Sequence, residues 1–125
     1  MILEEEKIPQ QLQHQLGQYQ QIRQQYQEIA LQRRRLETQL SEAKSAVEEL
    51  DKLQSGEIIY KSVGNLMIRV EKEEAKKELA ERIETLDLRI KVHQRQETKI
   101  VNRMKEMESK IRSMTGEEER PAPAG

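Results

Sequence analysis

"EIIYKSVGNLMIRVEK", Glu57 to Lys72, is the stretch on which the fold turns. Aliphatic and β-branched residues flank Gly64-Asn65, a pair suited to a tight hairpin turn because glycine takes positive φ freely and asparagine tolerates it better than most residues. With a two-residue turn, Ile59, Lys61 and Val63 share one face with Leu66, Ile68 and Val70. Ile58, Tyr60, Ser62, Met67 and Arg69 form the other. A β-hairpin is therefore expected over about residues 57–71, in the middle of a chain whose remaining pattern is helical.

On the N-terminal side, Ile8, Leu12, Gln15, Tyr19, Ile22, Tyr26, Ile29, Arg33, Leu36, Leu40, Ala43, Val47 and Leu50 follow one another in alternating steps of four and three. On the C-terminal side the same rhythm runs through Leu79, Ile83, Leu86, Ile90, His93, Glu97, Ile100, Met104, Met107, Ile111 and Met114. These are heptad seams, interrupted by few polar members. Pro9 suits a helix start, where its missing N–H is not needed, and Ser55-Gly56 and Gly116 suit helix ends. The spacing predicts helices over about 9–54 and 72–115, in one domain of residues 1–116, followed by a disordered acidic and Pro/Ala-rich tail over 117–125. The fold class is mainly α: a long antiparallel two-helix coiled coil carrying one central β-hairpin. A fold-back in which facing position numbers add to about 133 sets Leu50 against Ile83, Val47 against Leu86 and Leu40 against His93. It also leaves Arg33 about one turn from Glu97, near enough for a register-fixing salt bridge within the seam, the alternative being two independent charges that reach water from a two-helix seam.

Composition agrees with an extended helical chain. Of 125 residues 34% are hydrophobic and 36% charged, with no Phe or Trp, so a large globular core has no material. The net charge of −1 gives no general attraction to nucleic acid or anionic membrane. No apolar run is long enough to span a bilayer and no secretory signal is present, so a soluble, cytoplasmic protein is expected. The absence of Cys excludes disulfides and Cys-based zinc sites and fits a reducing compartment.

A lone two-stranded hairpin is marginal in water and has two unpaired edges. Its apolar side chains are each worth about 1.5–3 kcal/mol when buried. Pairing with the hairpins of other subunits would satisfy edges and faces together. Ile58, Ile59, Tyr60, Val63, Leu66, Met67, Ile68 and Val70 are accordingly the expected subunit interface. The alternative is a cap folded down on its own coiled coil. Antiparallel arms bring both termini to the end away from the hairpin. There Ile2, Leu3, Ile8, Leu12 and Leu16 join Met107, Ile111 and Met114 in an apolar tip suited to dissimilar apolar partners.

Catalytic chemistry is not expected. The sequence has no phosphate-cradling glycine loop, no catalytic constellation and no cofactor motif. His93 and Glu97 have helical i,i+4 spacing that a metal could use, but without a further ligand a seam histidine paired with a neighbour is the simpler reading. Arg33-Arg34-Arg35 point around different sides of a helix, beside Glu28 and Glu37 and with few aromatics for base stacking, so a solvated surface is favoured over RNA binding. The Gln-rich stretch from Gln10 to Gln32 keeps its heptad and reads as solvent-facing helix.

Three strings, "QHQLGQYQQIRQQYQ" (13–27), "YKSVGNLMIRV" (60–70) and "ELAERIETLDLRIKVHQRQE" (78–97), resemble the prefoldin family, in particular its archaeal-like β-type subunits, over about residues 8–114. One hairpin, where α-type subunits have two, points to the β-type. The resemblance implies a hexamer of two α-type and four β-type subunits, with hairpins joined into a β-barrel platform and coiled coils projecting from it. It further implies an ATP-independent holdase that binds unfolded polypeptides at the tips and delivers them to a group II chaperonin. No nucleic acid, membrane, metal or cofactor partner is implied. The competing reading is a structural coiled-coil scaffold or adaptor with one folded protein partner.

Overall fold

The computed structural model describes residues 9–116. Two long helices bracket a hairpin: α1 (Gln10–Lys52), β1 (Ile59–Val63), β2 (Leu66–Val70) and α2 (Lys72–Thr115). Helix α1 begins directly after Pro9, whose carbonyl accepts the Gln13 N–H at 3.0 Å. Proline thus stands just outside the helix and supplies an acceptor there. At the other end Leu53 N–H bonds back to Leu50 O at 3.1 Å, a tightening of the last turn, and Gly56 takes the left-handed conformation at φ 93°. Helix α2 starts on Glu71, whose carbonyl accepts from Ala75 N–H, with Glu73 and Glu74 at the positive end of the helix dipole.

The strands pair antiparallel, Ile59 with Val70, Lys61 with Ile68 and Val63 with Leu66, which is the register that a two-residue turn dictates. Gly64 sits at φ 59°, whereas among the described residues none other than glycine has positive φ. Glycine alone therefore meets the turn's conformational demand, in the manner of a turn with glycine at its first central position, and Asn65 is not called upon for it.

Contacts divide the described residues into two compact units, one of residues 32–94 and one of the described residues up to 31 with those from 95 onward. In the first, Leu36, Leu86 and Ile90 form a buried cluster against which Leu40 packs. Here the segments of α1 and α2 run antiparallel: Lys76 meets Asp51 and His93 meets Gln32. Facing position numbers in this unit thus add to about 126, not the expected 133. Leu40 accordingly lies with Leu86 and not with His93. In the second unit Leu12, Ile22, Ala30 and Ile100 are buried, and Tyr19 hydrogen-bonds Glu108.

Seam positions from Leu12 to Leu50 in α1 and from Leu79 to Ile111 in α2 are all buried or half-buried, so the heptads mark the packed face. None is wholly enclosed. Two helices cannot surround a side chain as a larger core does, and the stabilisation per residue is correspondingly below that of a globular interior.

Candidate interaction surfaces

The hairpin is attached to the helix pair at its base and open elsewhere. Ile59 and Val70, the pair nearest the helices, are half-buried and line a groove of about 480 Å³ with Leu50, Leu53, Ala75 and Leu79. Three polar ties hold this junction. Lys76 Nζ donates to Asp51 Oδ1 at 2.7 Å, Lys72 Nζ donates to the Leu53 carbonyl at 3.0 Å, and Lys61 pairs with Glu78. The Lys72 contact places a cation on the carbonyl end of α1, where the helix dipole favours one.

Beyond the base, Ile58, Tyr60, Val63, Leu66, Met67 and Ile68 are exposed on both faces of the hairpin, Leu66 at 66% and Met67 at 65%. Among the described residues the sheet has two strands, so the outer edge of each is unpaired. All eight residues expected at a subunit interface therefore sit on one small element, six of them exposed and two at its attachment.

Of the residues expected at the free ends, Leu12 is buried in the seam and Met107 and Ile111 are half-buried. Leu16 and Met114 are exposed, at 38% and 37%. Ile2, Leu3 and Ile8 lie outside the described residues, as does the tail over 117–125. The Tyr19 hydroxyl donates to Glu108 Oε1 at 2.6 Å. Donating that bond stabilises the protonated phenol, and together with burial and the charge of Glu108 it raises the Tyr19 pKa above its ordinary 10.0.

Arg33 makes an i,i+4 bridge to Glu37 at 2.6 Å. Arg33 belongs to the 32–94 unit and Glu97 to the other. His93 is engaged on both ring nitrogens, with Nδ1 on the Arg89 carbonyl at 2.9 Å and Nε2 on the Gln32 side-chain amide at 3.1 Å. A carbonyl can only accept, so Nδ1 carries a proton. Among the described residues no group of three or more His, Asp or Glu could hold a metal ion, and no helix is long and apolar enough to cross a membrane.

One apolar pair escaped the sequence reading: Leu88 and Val92, exposed on α2 away from the seam. The signal was present as two large aliphatics four residues apart on a helix. Neither residue falls on a heptad position, so the seam pattern does not mark them.

Comparison with known proteins agrees with this architecture. The family described as prefoldin subunit matches residues 13–118. The prefoldin subunit beta of Pyrococcus furiosus is 41% identical over 120 residues, covering 96% of this chain and 99% of that one. The prefoldin subunit beta of Thermococcus onnurineus is 40% identical over 108 residues, covering 86% and 93%. The crystal structure of the prefoldin beta subunit from Thermococcus strain KS-1 superposes with a TM-score of 0.78 at 38% identity, covering 86% of this chain and 94% of that one. A continuous match in sequence and in the order helix, hairpin, helix places the chain in the prefoldin family, a family of chaperone subunits, among its β-type members.

Proposed function

We propose that this chain is one of four β-type subunits that assemble with two α-type subunits through their hairpins into a β-barrel platform. In this reading the assembly holds unfolded polypeptides at the free helix ends without ATP, and hands them to a group II chaperonin in the cytoplasm. The observation that carries the assembly step is the hairpin itself. Five exposed apolar side chains and two open edges are concentrated on a ten-residue pair of strands, with Ile58 exposed immediately before the first, a surface that a single chain leaves in water and that neighbouring hairpins would cover. The holding step is supported by the apolar composition of the free ends, with Leu16 and Met114 exposed beside the half-buried Met107 and Ile111. We place the expected Arg33–Glu97 pairing in the same proposal. A double-mutant cycle with Arg33→Ala and Glu97→Ala would show coupling between the two if they pair.

Native mass spectrometry of the chain with and without an α-type prefoldin subunit tests assembly. A mixed hexamer is expected for the parent and is lost in Ile68→Asp, with the helix content of the unassembled variant unchanged. Suppression of aggregation of a guanidine-unfolded client in nucleotide-free buffer tests holding. Protection should fall when residues up to Leu12 and beyond Met107 are trimmed from an otherwise intact hexamer. Protection that survives this trimming would place client binding elsewhere, and a simple dimer bound to one folded protein would favour a scaffold.

A further inference from the structure

We infer that the exposed pair Leu88 and Val92 on α2 is a contact site for an extended non-native polypeptide segment. The inference rests on the holding function proposed above and adds a surface that neither the hairpin nor the free ends include. Leu88 is 58% exposed and Val92 47%. Each lies two residues after a buried seam residue, Leu86 and Ile90, and two residues carry the chain about 200° around an α-helix. The pair therefore occupies the side of α2 opposite the seam, where α1 cannot cover it. Spaced by four, the two side chains form one continuous apolar strip.

The strip borders a shallow hollow of about 300 Å³, which Leu88 and Val92 line together with Arg89 and, toward the seam, His93. Both His93 nitrogens are already committed, to Arg89 O and Gln32. Arg89, the other polar residue of the lining, is exposed. A shallow, chiefly apolar strip with an exposed arginine among its neighbours suits a segment that offers apolar side chains on an extended backbone, as an unfolded chain does.

Size selects the occupant further. A stable folded partner needs about 800 Å² of surface on each side, and two partly exposed aliphatics supply a small fraction of that. A contact this small holds only a chain that is tethered at another point of the same assembly, where effective concentration replaces intrinsic affinity. A client gripped elsewhere meets this condition, whereas a second folded protein docking here alone does not.

The chain has no native cysteine, so Val92→Cys in the assembled hexamer can carry a single benzophenone photo-crosslinker. Lys77→Cys, also exposed on α2, serves as the control. With guanidine-unfolded citrate synthase added, the label at 92 should cross-link to the client several-fold more than the label at 77, and neither should react with folded citrate synthase. Leu88→Gln with Val92→Gln keeps helix propensity. It should leave the hexamer mass and circular dichroism unchanged while raising the concentration needed for half-suppression of aggregation about threefold to tenfold. Equal labelling at 92 and 77, or cross-linking to a neighbouring subunit in place of the client, overturns the inference while leaving the holding function intact. If the parent hexamer gives no suppression at all, the function and this site fall together.

Discussion

Asp51 and Lys76 meet at 2.7 Å across the turn-back between the end of α1 and the start of α2. The bridge brings together residues far apart in sequence where the chain leaves one helix and enters the other. The Lys76 hydrogen bond holds the Asp51 carboxyl below its ordinary 3.8, opposed by partial desolvation and aided by the charges of Lys76 and Lys72. The same bond, with the charge of Asp51, holds the Lys76 ammonium above its ordinary 10.5.

A depressed acid and a raised base define a window. The Asp51 contribution is present above pH 3.8 and is lost as pH falls through the lowered value. The Lys76 contribution is present below pH 10.5 and is lost as pH rises through the raised one. Asp51→Asn should therefore destabilise the unassembled chain between these limits and converge with the parent beyond either. Both groups are solvent-accessible, so the difference should be small and should shrink further in 1 M salt. Urea melts of both proteins across pH 2 to 12 at two salt concentrations would show this.

The same bridge explains what the sequence could and could not disclose. Both seams were legible because burial follows the steps of four and three from Leu12 to Ile111. Register was not. Sliding one helix past the other by seven residues returns every apolar position to an equivalent site, so Leu40 against His93 and Leu40 against Leu86 satisfy the pattern equally. What distinguishes them in the 32–94 unit is the turn-back, where Asp51–Lys76 and Lys72 on the Leu53 carbonyl set the helix ends level. Those are polar contacts between surface residues, and no heptad count weights them. The hairpin register, by contrast, was readable because a two-residue turn admits one pairing. The exposure of its side chains then follows from there being no third strand among the described residues.

At the other unit, Tyr19→Phe should loosen the ends of the helices without unfolding them. The substitution keeps the ring and removes the donor that reaches Glu108. A hydrogen bond to a charged acceptor in a half-exposed setting is worth about 0.5–1 kcal/mol after screening. Amide exchange over residues 10–30 and 96–115 should accelerate accordingly, with residues 36–50 unaffected. Because the Tyr19 pKa is raised, the parent's advantage over the variant is present below pH 10.0 and disappears as pH climbs through the raised value. Unchanged exchange at neutral pH would mean that the bond contributes nothing to closure.

Gly64 gives a sharper test of the hairpin. Its φ of 59° costs an L-residue free energy even though a Cβ there would meet nothing within 4 Å, so the penalty of Gly64→Val is conformational and not steric crowding. For a β-branched residue that strain is about 1–3 kcal/mol. The hairpin is marginal by itself, so this is enough to unfold it locally while α1 and α2 persist. Circular dichroism should keep its helical signal, and assembly with an α-type subunit should weaken by about tenfold or more. Asn65→Ala should be far milder, since that position has no positive φ to satisfy.

Leu86 and Leu88 offer the most direct comparison of seam and surface, because the same residue type occurs two positions apart on one helix. Leu86 is 4% exposed and belongs to the cluster with Leu36 and Ile90, while Leu88 faces outward. Leu86→Ala removes packed methyl groups from a place that neighbouring side chains can only partly refill. About 2–3 kcal/mol should be lost, the lower part of the usual range because a two-helix seam can close up more than a globular core. Leu88→Ala should fall within about 0.5 kcal/mol of the parent, since alanine's better helix propensity offsets the little apolar area given up. Chemical denaturation of both variants as unassembled chains measures the difference directly. Similar losses at the two positions would mean that the outward face of α2 is packed in solution, and a larger loss at Leu88 would reverse the seam assignment altogether.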